Sequence, residues 1–180
     1  MRFGADGLAA GVRFVASPNC DPRPQGHEVT LLVVHSISLP PQTYGGPGIE
    51  RLFTNELDPA EHSYYAQIAH LRVSAHLLLR RNGEPVQFVP LQMRAWHAGE
   101  SIWRGRGGCN DFSVGIELEG GDADSYTDAQ YTRLAALTRA LRRVLPLRDV
   151  AAHSDIAPLR KTDPGRLFDW ARFLRALGQR

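Results

Sequence analysis

Glu28-Val29-Thr30-Leu31-Leu32-Val33-Val34-His35 is an apolar, β-branched run that closes on a histidine. Such a run reads as a buried strand, and here it is predicted to end abruptly at His35. Pro40-Pro41 and Gly45-Gly46-Pro47-Gly48 then enforce a long loop. A histidine at the end of a buried strand, opening into a loop, is well placed to face a cleft.

Upstream, Pro18, Pro22, Pro24 and Gly26 mark an irregular N-terminal arm. Downstream, a short helix is expected around Gly48–Asn55. Ser74–Arg81 and Glu84–Val89 flank Asn82-Gly83 and predict a β-hairpin, since Asn-Gly suits a type I′ turn. Phe112–Glu119 alternates as a strand does, placing Ser113, Gly115, Glu117 and Glu119 on one face. Thr127-Asp128-Ala129-Gln130 is a capping box that opens a helix with a buried stripe of Leu134, Leu137, Leu141 and Val144, stopped by Pro146. Arg148–His153 reads as another short strand. Phe168–Leu177 reads as a terminal helix packing Trp170, Phe173, Leu174 and Leu177. Strands mixed with helices around one core make this an α/β protein, expected as a single domain over residues 1–180.

The composition narrows the function classes. Of 180 residues 43% are hydrophobic and 22% charged, enough for one core. Lys plus Arg number 21 against 19 acidic residues, a net charge of +2, which argues against a nucleic-acid partner. Two cysteines, Cys20 and Cys109, exclude a disulfide-dense scaffold. Asp6 and Arg13 interrupt any signal-peptide core, and the charge-free run Val29–Ile49 carries His35, three prolines and three glycines, so no membrane span is expected. The expectation is a cytoplasmic monomer. Every basic residue but one is Arg; the exception is Lys161, and an ammonium is not interchangeable with a guanidinium.

His153-Ser-Asp155-Ile-Ala-Pro158-Leu-Arg-Lys161-Thr-Asp163-Pro-Gly165 sets two potential metal ligands and the solitary Lys within one short segment. Zinc takes His nitrogen with carboxylate or thiolate, and a catalytic site uses three protein ligands plus water. His153 and Asp163 offer two ligands, and His35 a third. The spacing alone also fits a plain Asp-Pro-Gly turn, a surface His153 and a Glu117 on a solvated sheet face.

Five collinear segments carry a resemblance: Val34–Pro41, Ala69–His76, Arg94–Gly99, Cys109–Gly120 and Arg160–Gly165. Together, from about Ser17 to Ala176, they resemble the type 2 N-acetylmuramoyl-L-alanine amidases. These are zinc enzymes related to a phage lysozyme and to peptidoglycan recognition proteins. The resemblance implies a mixed central β-sheet flanked by helices, with Zn²⁺ held by His35, His153 and Asp163. Asp163 stands where related amidases often have Cys, which points to the cell-wall recycling branch. The implied reaction is hydrolysis of the amide joining the lactyl group of (1,6-anhydro)-N-acetylmuramic acid to L-Ala of a small soluble muropeptide. An indirect influence on β-lactamase induction comes with that role. Glu117 is then the general base and Lys161 the oxyanion donor.

The resemblance also implies substrate contacts from Arg72, which would receive a peptide carboxylate, from Trp96 and His97 walling a sugar pocket, and from Ser36 after the first ligand. His70 and His76 read as structural, His27 and His62 as surface residues, and Asn110 and Asp111 as structural. Two positions depart from the family pattern: Ser36 replaces the common Asn, and Gly108 replaces an Arg that Arg104 or Arg106 would have to supply. Two other readings compete. A periplasmic amidase acting on intact wall conflicts with the missing export signal, and a non-catalytic muropeptide binder conflicts with the complete residue set.

Overall fold

The run around Val33 forms a strand over Leu31–Ile37 with Leu31–His35 all buried, in a computed structural model that describes residues 1–178. In chain order the strands are β1 (Arg13–Phe14), β2 (Cys20–Pro22), β3 (Leu31–Ile37), β4 (Leu77–Leu79), β5 (Pro85–Gln87), β6 (Met93–Ala95), β7 (Ile102–Trp103), β8 (Arg106–Gly107), β9 (Ser113–Glu119) and β10 (Asp149–Ala152). The helices are α1 (Gly48–Thr54), α2 (Ser63–Ile68), α3 (Asp128–Leu141), α4 (His153–Ile156) and α5 (Trp170–Ala176). Six strands make the main sheet, in the order β1-β5-β4-β9-β3-β10. Its β4, β9, β3 and β10 run parallel, and β5 is antiparallel to β4, so the sheet is mixed as expected.

Alternation along the parallel strands divides two hydrophobic layers. Leu32, Val34, Val114, Ile116 and Leu118 face Leu134, Leu137 and Leu141 of α3 and Phe173 of α5. Each of those α3 leucines is fully buried, which contributes roughly 1.5–3 kcal/mol. Leu31 and Val33 face the other way, against Phe112, Ala151 and Ile156. His35 continues that second series, so the strand that builds the core also delivers a polar ring to the face opposite α3.

The capping box is present as read. The Thr127 hydroxyl accepts from the Gln130 amide and the Gln130 side chain accepts from the Thr127 amide, both at 3.1 Å. Three details differ from the sequence reading. First, β3 continues two residues past His35, because Ser36 and Ile37 still pair with Leu118 and Glu119. Second, the Asn82-Gly83 hairpin has no type I′ turn. Only Gly83 has positive φ, and the Arg80 amide donates to Glu84 while the Gly83 amide donates to Arg80, a type I turn with a glycine bulge. Third, Val144 lies beyond the end of α3 and is 49% exposed. Among the described residues no helix is long and apolar enough to cross a membrane.

Candidate metal centre and active site

Three neighbouring strands feed the site. In the β3–β9 ladder His35 stands directly opposite Glu117. Beside β3, strand β10 pairs Ala152 with Val34 and then ends, so His153 opens α4 next to His35. The chain after α4 returns Asp163 to the same point, tied there by the Ser154 amide donating to the Asp163 carbonyl at 3.0 Å. Tyr126 fixes the following residue from the far side, its hydroxyl donating to the Pro164 carbonyl at 2.7 Å.

The Nδ1 atoms of His35 and His153 lie 2.9 Å apart. Asp163 Oδ2 is 3.2 Å from the first and 3.1 Å from the second. Tetrahedral zinc with bonds of about 2.0–2.1 Å sets its ligand atoms about 3.3 Å apart. The triangle has nearly those edges. Burial pushes the His35 imidazole down to about 4 against the opposing pull of Asp163, so at neutral pH its ring is uncharged. Burial also works to raise the Asp163 carboxyl, but the imidazoles facing it outweigh that and keep it ionised. Lone pairs and a carboxylate converging this closely repel one another unless a cation lies between them. The donor set therefore fits a metal ion, and among the described residues it is the one His/Cys/Asp/Glu cluster that does.

Glu117 is half-buried, and its Oε2 is sealed from solvent without a hydrogen-bond partner. Burial first, then the nearby Asp163 charge, drives its carboxyl well above the ordinary range, with Lys161 opposing. A carboxyl raised in this direction holds a proton more readily than a free carboxylate, as a group that accepts and then returns one requires. Glu117, Lys161, Ser36 and the three candidate ligands border one cleft of about 670 Å³, whose other wall is apolar, with Leu39, Ile68 and Leu71.

The remaining expected contacts fare differently. Arg72 is exposed and folds its guanidinium onto the carbonyls of Ala69 and Leu71 just beyond α2, outside the cleft lining. Trp96 is half-buried and also outside that lining. His97 borders the cleft, yet it is buried and both its ring nitrogens are engaged within the protein, by His35 and Ser113. Gly108 has φ near 70°, a backbone setting that strains a side-chain-bearing residue. Arg104 pairs with Asp149 and Arg106 stacks on Phe112, so neither reaches into the cleft. Asn110, read only as structural, bonds the backbone beside the site, and its place in the Cys-Asn-Asp segment was the one signal for it.

The family model described as N-acetylmuramoyl-L-alanine amidase matches residues 25–166. The chain is 60% identical over 169 residues to 1,6-anhydro-N-acetylmuramyl-L-alanine amidase AmpD of Escherichia coli, covering 93% of this chain and 92% of that protein. The crystal structure of a selenomethionine AmpD derivative superposes with a TM-score of 0.95 at 56% identity, over 98% of this chain and 99% of that one. The E. coli amidase AmiD, solved in complex with the substrate anhydro-N-acetylmuramic acid-L-Ala-D-γ-Glu-L-Lys, has a TM-score of 0.61 at 30% identity over 87% of this chain and 61% of that one. A match over most of the chain, and a full-length relative at this identity, leave one assignment: the protein belongs to the N-acetylmuramoyl-L-alanine amidase family.

Proposed function

We infer that this chain, a single domain over residues 1–180, is a zinc amidase of peptidoglycan recycling. It hydrolyses the amide between the lactyl group of 1,6-anhydro-N-acetylmuramic acid and L-Ala of the stem peptide, in the cytoplasm. By lowering the level of soluble muropeptides it indirectly influences β-lactamase induction. The observation that carries the reading is the unpartnered Glu117 carboxylate beside the converging His35, His153 and Asp163 side chains. The names of the AmpD relatives support the substrate class.

His35, His153 and Asp163 would hold the ion. Zinc in that site supplies Lewis-acid chemistry, lowering the pKa of a water toward about 7 and polarising the amide carbonyl. The protein's own part begins with Glu117, which accepts a proton from the attacking water as the new C–O bond forms. As the C–N bond breaks, Glu117 returns that proton to the departing L-Ala nitrogen. Lys161 donates from its ammonium to the oxyanion that develops on the carbonyl, charge present only on the way to products. Ser36 borders the same cleft, where it would contact substrate. Arg72 and Trp96 would reach substrate only by turning in from outside the lining.

The test offers the zinc-loaded protein soluble anhydromuramyl-tripeptide and intact sacculi side by side. Release of free tripeptide from the soluble substrate, with little from sacculi, is the expected result. Equal rates on both, or full hydrolysis by metal-free protein, overturns the reading.

A further inference from the structure

The two candidate histidine ligands lean on two consecutive residues of one loop. His35 Nε2 lies 2.9 Å from His97 Nδ1, and His153 Nε2 lies 3.2 Å from the Ala98 carbonyl. The direction of each bond follows from its neighbours. The Ser113 hydroxyl donates to the Cys109 carbonyl at 2.6 Å, so toward His97 Nε2, at 3.1 Å, it acts as acceptor. His97 therefore carries its proton on Nε2 and presents a bare Nδ1. His35 must donate from Nε2 into that lone pair, which leaves His35 Nδ1 bare and aimed at His153 and Asp163. A carbonyl only accepts, so His153 likewise donates from Nε2 to Ala98 and keeps its own Nδ1 bare. Both rings are thus held in the one tautomer that can ligate through Nδ1.

The loop is fixed in turn by Asn110. Its Oδ1 accepts from the amides of both His97 and Ala98, at 3.1 and 2.8 Å. Space for the His97 ring comes from Gly115 on β9. A Cβ there would fall 2.5 Å from the His97 ring, and Gly115 does not have positive φ. Glycine weakens a strand interior and here serves close approach, not backbone conformation.

We propose that His97, seated on Gly115 and fixed by Asn110, is a positioning residue of the metal centre, setting the orientation and tautomer of His35. This rests on the zinc reading above. It differs from a role for His97 as a wall of the sugar pocket, which requires no effect on the metal. Partners that orient metal-ligating histidines typically account for 10–100-fold in metal affinity.

The experiment measures the zinc dissociation constant by competition with a chelator of known affinity, and the rate of zinc loss from loaded protein into excess chelator. His97→Asn places an amide oxygen near the Nδ1 position and keeps an acceptor for His35. His97→Phe keeps the ring volume and removes the acceptor. If His97 orients His35, the Phe variant binds zinc roughly 10–100-fold more weakly than wild type and the Asn variant stays closer to wild type. If His97 only fills space, the order reverses, because Phe packs and Asn leaves a void. If it only lines the substrate pocket, zinc affinity is unchanged and KM rises. Either of these overturns the proposal. Asn110→Ala and Asn110→Asp supply a second pair should His97→Phe fail to fold: zinc loss accelerates in the first and not in the second, and equal rates count against the proposal. A wild-type protein that takes up no zinc overturns the underlying reading itself, and is distinguished from the other failures by that control.

Discussion

Glu117 is the ladder partner of His35: the two stand side by side on parallel strands β9 and β3 and project from the same face. Backbone hydrogen bonds of a seven-residue register hold them there, so no flexible loop sets the distance between Glu117, the proposed base, and His35. Sites built on strands are placed more precisely than sites built on loops. The same strands bury Leu32, Val34, Ile116 and Leu118 on their other face, which couples the precision of the site to the packing of the core.

Glu117→Gln keeps the shape and removes the base. Turnover should fall by about 10²–10⁴-fold while zinc content stays at the wild-type level. Kinetics on soluble anhydromuropeptide with parallel metal analysis checks this. Wild-type turnover in a zinc-loaded variant would return Glu117 to an ordinary strand residue.

Lys161→Arg tests whether a positive charge suffices. A compact ammonium can set one donor beside the developing oxyanion, whereas the wider planar guanidinium would displace the carbonyl or crowd Asp163 two residues on. Turnover should drop roughly 10²–10³-fold with zinc content and thermal midpoint near wild type. A variant within a few-fold of wild-type turnover removes Lys161 from the catalytic set.

The elements that carry the site were legible because they carry local patterns. An unbroken apolar run marked β3, alternation marked β9, and a capping box marked α3. Strands β1 and β2 were not legible. At two and three residues they have no pattern of their own and pair with β5 and β6, which lie far along the chain. Helix α2 shows no apolar stripe and is capped by His62, whose Nδ1 accepts from the Tyr64 amide. Within the site, His35, His153 and Asp163 form the cluster that the resemblance implies. The setting of His97 depends on Gly115 and Ser113 across the sheet, a relationship that spacing along the chain does not encode. Arg72 was assigned by its segment, but local carbonyls hold its side chain instead.

Glu119 anchors the loop that follows β3. Its Oε1 accepts from the Gly45 amide at 2.6 Å and from Arg80 Nη1 at 2.9 Å, and its Oε2 accepts from the Arg81 amide at 3.0 Å. The residue is 1% exposed. Glu119→Ala leaves the buried Arg80 guanidinium with only its bonds to Glu50 and to the Gly46 carbonyl, and removes one partner of a buried ion pair, which should cost about 3 kcal/mol. Denaturant unfolding should show a lower midpoint with an unchanged slope. Glu119→Gln, which keeps an acceptor, should lose less. Equal stability of wild type and Glu119→Ala would mean that the loop finds other partners.

His76 gives the fold a definable sensitivity to acid. The ring is fully buried, with Nδ1 accepting from the Gly115 amide at 3.1 Å. Its Nε2 faces the Met93 carbonyl at 3.2 Å and the Arg23 guanidinium at 3.0 Å, while His97 packs edge-on against it. Protonation would turn Nδ1 into a donor pointed at another donor, beside a cation already in place. Burial first, and the Arg23 charge second, push the imidazole down to about 3. In the unfolded chain the same ring titrates at its ordinary value of about 6.5. Between those two values the unfolded state holds a proton that the native state lacks, so stability is complete above about 6.5 and falls as the pH drops toward 3. The slope for one such group is about 1.4 kcal/mol per pH unit. His76→Asn keeps an acceptor for the Gly115 amide and cannot titrate. Denaturant unfolding of the metal-free proteins across this range should give the variant a pH dependence shallower by one proton, and a lower stability than wild type at pH 7 through the lost ring packing. Parallel pH profiles for the two proteins would show that His76 is not among the groups that set the acid limit.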